Sequence, residues 1–202
     1  MRIGIIGAGN VGSALGRQLA KAGHEVVYGV PNPSSEKYRA LKARTVRDAA
    51  AFAEVVVLAT PWPAAEAAIR SAGSLSGKIL IDCINPLKPD LSGLALGHTD
   101  SAAEQIARWA PGAKVVKTFN HTGADNMANP AYGPQKPVLF VAGDDAAAKQ
   151  TALQLVQDVG FDAVDAGPLA NARLLEPLAM LWIYLAFHGL GRNIAFALLK
   201  RS

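Results

Sequence analysis

Short apolar runs separated by amphipathic stretches recur along the whole chain. The runs are RIGIIG (2–7), EVVYGV (25–30), EVVVLAT (54–60), KILIDC (78–83), KVVKTF (114–119), PVLFVAG (137–143) and FDAVDA (161–166). Their hydrophobicity is nearly continuous rather than alternating, which is the pattern of strands covered on both faces. Helical periodicity falls between them, on 10–22, 35–43, 47–53, 63–72, 101–109, 145–158 and from 170 to 199. Regular strand–helix alternation predicts an α/β fold with a doubly wound, mostly parallel sheet.

Two segments interrupt the alternation. Residues 84–98, INPLKPDLSGLALGH, are rich in Pro and Gly and long for a connection. Long loops in compact domains are often functional. Residues 177–191 are almost wholly apolar before Arg192 and Asn193, yet shorter than the ~20 residues that a bilayer crossing needs. A helix apolar all round is one buried in protein. The segment 167–202 is therefore expected to be helical and to pack against a second copy as a homodimer, not to enter a membrane. Within it, Arg173 and Glu176 are spaced for an i,i+3 ion pair.

The strongest short motif is Gly7-Ala8-Gly9-Asn10-Val11-Gly12, which follows an apolar strand directly and opens a helix. In that context a GxGxxG pattern is specific for a dinucleotide. Gly7 allows the tight turn, Gly9 lets backbone N–H groups approach a pyrophosphate, and Gly12 lets the helix pack closely on the strand. The helix N-terminus adds partial positive charge. Residues 1–166 thus read as an NAD(P)-binding Rossmann domain.

Composition narrows the classes further. Half of the 202 residues are hydrophobic and 18% are charged, as in a compact globular chain. The single cysteine, Cys83, excludes an internal disulfide and a cysteine-based zinc site. It fits a reducing, cytoplasmic setting, and the opening MRIGIIGAGN lacks the order of a signal peptide. The net charge of +4 is dispersed, which argues against nucleic acid and suits an anionic small molecule. The four histidines, His24, His98, His121 and His188, have no metal-ligand spacing, so no metal is expected. No nucleophile–base constellation is apparent, so no catalytic side chain is assigned.

Two further stretches, VVKTFNHTGADNMANP (115–130) and DAGPLANARLLEPLAMLWI (165–183), carry a family resemblance together with GIIGAGNVG and VLATPWPAA. Over essentially its whole length the chain resembles the NADPH-dependent F420 reductase family. The resemblance implies hydride transfer between NADP(H) and a small-molecule electron acceptor, a flavin or the deazaflavin coenzyme F420. In such chemistry the cofactors react and the protein orients them. By the same resemblance, Ala8, Gly9, Asn10 and Val11 hold the pyrophosphate. Thr60, Pro61 and Trp62 lie beside the cofactor, although Pro is also a common helix opener. Asn85 lies at the carboxyl edge of the sheet, where such folds bind ligands. Asn120, His121 and Thr122 line the nicotinamide side, and with Pro168 and Leu169 they outline a substrate pocket. Two other functions stay open: reduction of ferric complexes or of a small imine or carbonyl, and a non-catalytic NADP(H) sensor whose nicotinamide edge Trp62 and His121 would block.

The end of the second strand sets the choice of dinucleotide. An acid there marks NAD and an arginine accommodates NADP. This chain has Val30, Pro31 and Asn32, and members of the resembled family carry Arg at the place of Pro31. Ser34, Ser35 and Lys37, with Arg39, can supply hydroxyls and charge to a phosphate. Lysine is the less directional clamp. The expectation is NADP(H) with weakened discrimination against NAD(H), and a cofactor site that includes Pro31, Asn32, Ser34, Ser35 and Lys37.

Overall fold

A computed structural model describes residues 1–201. The strands β1 (Arg2–Ile6), β2 (Glu25–Gly29), β3 (Ala43–Arg44), β4 (Val55–Leu58), β5 (Ile79–Asp82), β6 (Lys114–Lys117), β7 (Val138–Gly143) and β8 (Asp162–Asp165) form one sheet. Its order is β3-β2-β1-β4-β5-β6-β7-β8. Every pairing is parallel except β6 with β7. From β1 the chain steps outward to β2 and β3, then returns to β4 on the other side of β1. That reversal opens a crevice at the carboxyl ends of β1 and β4.

Helices cover both faces, as the unbroken apolar strands require. On one face pack α1 (Asn10–Lys21), α5 (Ala124–Ala128) and α6 (Ala146–Val159), burying Leu15, Leu19, Met127 and Leu155. On the other pack α2 (Val46–Phe52), α3 (Ala65–Ala72), α4 (Ala102–Trp109) and the start of α7 (Ala172–Leu185), burying Val46, Ile69 and Ile106. Local chemistry starts these helices. Thr45, Ser101 and Asp145 each accept a hydrogen bond from the backbone N–H three residues on. Such caps are each worth ~1 kcal/mol.

Four sequence expectations need correction. The helix expected over 170–199 stops earlier: α7 ends at Leu185, and an irregular turn over 186–190 puts His188 off helical geometry and Gly189 at φ +112°. Gly191 follows at φ +72°, so paired glycines end the helix although the apolar pattern runs on. The chain then returns over the body, where the Ile194 carbonyl accepts from Asn126 and Trp182 and the Phe196 carbonyl accepts from Val138. The helix expected over 35–43 is one short turn, Glu36–Tyr38, before β3. The short α5 falls in 115–130, where no helix was expected. Finally, Arg173 and Glu176 do not pair with each other. Arg173 grips Glu104 through two hydrogen bonds of 2.9 and 2.6 Å.

Glu176 instead enters a buried charge cluster. The Lys117 ammonium, fully enclosed, donates to Asp82 Oδ2 and Glu176 Oε1, both at 2.9 Å, and to the Ile84 carbonyl. Glu176 also accepts from the backbone N–H groups of Ala102 and Ala103, at the start of α4. Burial disfavours the lysine's charge, yet the two carboxylates outweigh it and raise its pKa. Burial likewise raises the pKa of Glu176, against the pull of Lys117. One ammonium thereby ties together β5, β6, α4 and α7. Removing one partner of such a cluster leaves buried charge uncompensated. Lys117→Ala is expected to lose about 3–5 kcal/mol of unfolding free energy in urea titration; a loss below ~1 kcal/mol, the scale of an exposed pair, would show that the cluster is not structural.

Candidate functional site

The crevice contains two adjoining pockets of about 470 Å³ each, which share Thr60. The first lies over the ends of β1 and β2, between the start of α2 and one face of α3, and is lined by Gly7, Val30, Pro31, Thr45, Arg47 and Ser71 among others. The second lies over the ends of β4 and β5. Gly9, Asn10 and Val11 form one wall, Pro61 and Trp62 another, and Asn85, Leu87 and Leu91 close it.

The three glycines of the loop differ in their surroundings. Gly7 turns at φ +104°, and a Cβ there would come within 2.5 Å of the Ala59 carbonyl oxygen. At Gly12 a Cβ would come within 2.0 Å of the Gly7 carbonyl oxygen, so only glycine lets α1 sit this close to the loop. At Gly9 a Cβ would meet no heavy atom within 4 Å, so that face of the backbone is open to the groove. The first turn of α1 has no acidic residue and no side-chain cap, which leaves its N–H groups directed at whatever occupies the crevice. At the junction of the two pockets, Thr60 Oγ1 is buried without a hydrogen-bond partner among the described residues. An orphaned buried hydroxyl calls for an explanation, and a polar ligand spanning both pockets supplies one. These residues fit a dinucleotide.

The remaining expected site residues divide into three groups. Pro31, Thr60, Pro61, Trp62 and Asn85 line the groove. Trp62 is held in its wall by stacking on Trp109, with ring centroids 5.3 Å apart. Asn32, Ser34 and Lys37 are exposed outside the pockets, Ser35 is half-buried there, and the Lys37 ammonium lies 5.4 Å from the Tyr38 ring. Asn120, His121, Thr122, Pro168 and Leu169 do not reach the groove either. Asn120 lies behind Asn85: its amide donates to Asn85 Oδ1 at 3.0 Å and to the Leu175 carbonyl at 2.9 Å, while its own carbonyl accepts from Asn85 at 2.7 Å. His121 is deeper still, 1% exposed and stacked on Phe140. Its Nε2 accepts from the Phe140 N–H at 3.4 Å, which leaves Nδ1 to donate to Asn120 Oδ1 at 3.1 Å. Burial lowers its pKa to about 4, so the ring is neutral near pH 7. Leu169 packs in the core beneath α4.

Sequence reasoning passed over Arg47, Thr45 and Ser71 in the first pocket, and Cys83, Ile84, Lys88 and Leu91 in the second. The Pro/Gly-rich loop was the available signal for Leu87–Leu91, which it indeed contributes. Burial, with the Asp82 charge beside it, pushes the Cys83 thiol pKa up and so keeps it from acting as a thiolate.

Comparison with known proteins agrees with this geometry. Residues 2–86 match the family described as NADP oxidoreductase, coenzyme F420-dependent. The crystal structure of an Arthrobacter sp. FB24 protein, provisionally described as an F420-dependent NADP-reductase, superposes with a TM-score of 0.89 at 37% identity, covering 99% of this chain and 100% of that one. The metalloreductase STEAP3 of Rattus norvegicus is 31% identical over 203 residues, which cover 96% of this chain and 40% of that protein. The chain thus spans about two fifths or less of the length of the curated relatives it matches. A reductive aminase from Aspergillus terreus, solved with NADPH and ethyl levulinate, shares the fold at a TM-score of 0.68 and 20% identity, over 93% of this chain and 62% of that one. Fold, glycine loop and similarity define a dinucleotide-dependent oxidoreductase. The chain belongs to the coenzyme F420-dependent NADP oxidoreductase family.

The two inner glycines should respond differently to a methyl group. Gly12→Ala is expected to cost about 1–3 kcal/mol of stability through overpacking. Gly9→Ala should leave stability nearly unchanged while weakening NADP(H) binding at least ~10-fold, because the methyl enters the space that a phosphate needs. Urea titration and calorimetric binding check both, and equal effects of the two substitutions would contradict the assigned roles.

Proposed function

We propose that the chain is an NADP(H)-dependent oxidoreductase that passes hydride between the nicotinamide and a flavin-like acceptor, the deazaflavin coenzyme F420 or a flavin. The observation that carries this reading is the make-up of the second pocket. Pro61, Trp62, Ile84, Leu87, Pro89 and Leu91 give it an apolar lining with no histidine or carboxylate. Such a lining suits two stacked planar rings better than chemistry that needs a proton relay.

Bound NADP(H) supplies the hydride chemistry at its nicotinamide ring. The residues of this chain bind, orient and exclude water. Gly9 and the start of α1 receive the phosphates, and Thr60 Oγ1 offers a hydroxyl at the junction of the pockets. Trp62, braced by Trp109, is a fixed wall. Asn85 is locked by Asn120, so Asn120 and His121 act through it rather than by contact. Lys88 is the one charged side chain lining this pocket, which favours an anionic acceptor.

The non-catalytic sensor finds less support. His121 lies behind the groove, and Trp62 is stacked back against Trp109 instead of crossing it. A second reading, reduction of a ferric complex, is favoured by the likeness to a metalloreductase across 96% of the chain.

A homodimer completes the proposal. Leu174, Leu181, Tyr184 and Phe187, along and just past α7, are 68, 48, 54 and 59% exposed. Exposed apolar surface of this extent is characteristic of an interface. No helix among the described residues is long and apolar enough to cross a membrane.

Two experiments test these points. Purified protein mixed with NADPH and, separately, coenzyme F420, FMN, FAD, a ferric chelate and a cyclic imine should consume NADPH with the deazaflavin or a flavin. Turnover with the ferric chelate alone would move the assignment to the second reading, and turnover with none would contradict the enzyme. Light scattering at micromolar concentration should give a dimer mass that Leu181→Glu with Phe187→Glu converts to monomer. A monomeric wild-type chain would contradict the assembly.

A further inference from the structure

We propose that Arg47 reads the 2′-phosphate of NADP(H) in this chain, in place of the arginine that Pro31 displaces. The inference rests on the groove being an NADP(H) site. At the end of β2, Val30 and Pro31 line the first pocket, and Pro31 brings neither a charge nor a backbone N–H. The opposite wall comes from a different element. Parallel pairing of β2 with β3 places Gly29 opposite Arg44, and the Val30 N–H donates to the Arg44 carbonyl at 3.0 Å. That register carries Thr45, Val46 and Arg47 to the pocket alongside Pro31.

Arg47 is the only cationic residue lining this pocket, and no carboxylate lines it. The pocket therefore lacks the acid that would accept from the free ribose hydroxyls of NAD(H). The other cations of this edge, Lys37, Arg39, Lys42 and Arg44, do not line the pocket. Arg39 pairs with Glu36 at 3.5 Å, the Lys37 ammonium lies over the Tyr38 ring, and the Arg44 guanidinium lies 4.6 Å from the Phe52 ring centroid. Arg47 is exposed and makes no ion pair among the described residues. The neighbouring carboxylate, Asp48, is occupied by its own helix start: its Oδ2 accepts from Thr45 Oγ1 at 2.7 Å. An uncommitted guanidinium presents a planar fork that matches a phosphate bidentately, which a lysine cannot do. The selectivity determinant has thus moved from the end of β2 to the start of α2. The earlier assignment to Ser34, Ser35 and Lys37 gives way to it.

Calorimetric titration of the full chain with NADPH, NADH, adenosine 2′,5′-bisphosphate and AMP tests this. Arg47→Ala should weaken NADPH and the bisphosphate by about 10- to 100-fold, the worth of a charge-assisted contact, while NADH and AMP change less than about twofold. Pro31→Arg in the Arg47→Ala background should restore the preference for NADPH. Equal weakening of both dinucleotides, an unchanged NADPH affinity, or selective loss on Lys37→Ala instead would overturn the assignment. A wild-type chain that binds neither dinucleotide would overturn the reading of the groove itself. A wild-type chain that binds NADPH, with its preference unaltered in Arg47→Ala, refutes Arg47 alone.

Discussion

An ammonium with no access to water needs compensating charge, and the far half of the groove is built around that need. Lys117 leaves β6 into the protein interior, where only Asp82, Glu176 and the Ile84 carbonyl are available to it. Meeting its requirement fixes the end of β5, the start of α4 and the first turns of α7 relative to one another. Asp82 is followed directly by Cys83, Ile84 and Asn85, which line the second pocket. The charge cluster therefore holds that wall from behind, through the Ile84 carbonyl. Asn120, three residues beyond Lys117, then locks the Asn85 side chain. A buried ion cluster is a weak source of net stability; here it joins four elements in one register, and the groove inherits that register.

The glycine-loop wall of the groove rests on a different constraint, close backbone approach. Gly12 brings α1 against the loop, Gly7 turns beneath it, and Gly9 leaves room above it. One wall is fixed by electrostatics in the core and another by the absence of side chains. Thr60 stands where the two pockets meet, its hydroxyl buried and unpartnered. A dinucleotide lying across the junction would offer that hydroxyl a polar partner.

What could be read from sequence was local. β1, the glycine loop and α1 are contiguous, and their spacing alone specified them. The doubly wound, mostly parallel sheet followed from strand–helix alternation, and the proline–tryptophan corner read from sequence lines the groove. Contacts distant in sequence were not legible: Lys117 is 35 residues from Asp82 and 59 from Glu176, and nothing in the run KVVKTF marks its lysine as buried. The end of α7 was misread because the apolar pattern continues past Gly189 and Gly191, and hydrophobicity outweighed the glycines. Arg47 was not legible beside Pro31, because β3 brings the start of α2 there from further along the chain. His121 was placed near the ring by resemblance, and the fold put Asn120 and Asn85 between it and the groove.

A crystal structure of the chain with NADP bound tests the central claim most directly. The pyrophosphate should lie on Gly9 and the start of α1, with Thr60 Oγ1 hydrogen-bonded to the dinucleotide. The nicotinamide should rest between Trp62 and Asn85 with one face open to an acceptor. A dinucleotide bound outside this groove, or a nicotinamide covered on both faces by side chains of the chain, would contradict the account.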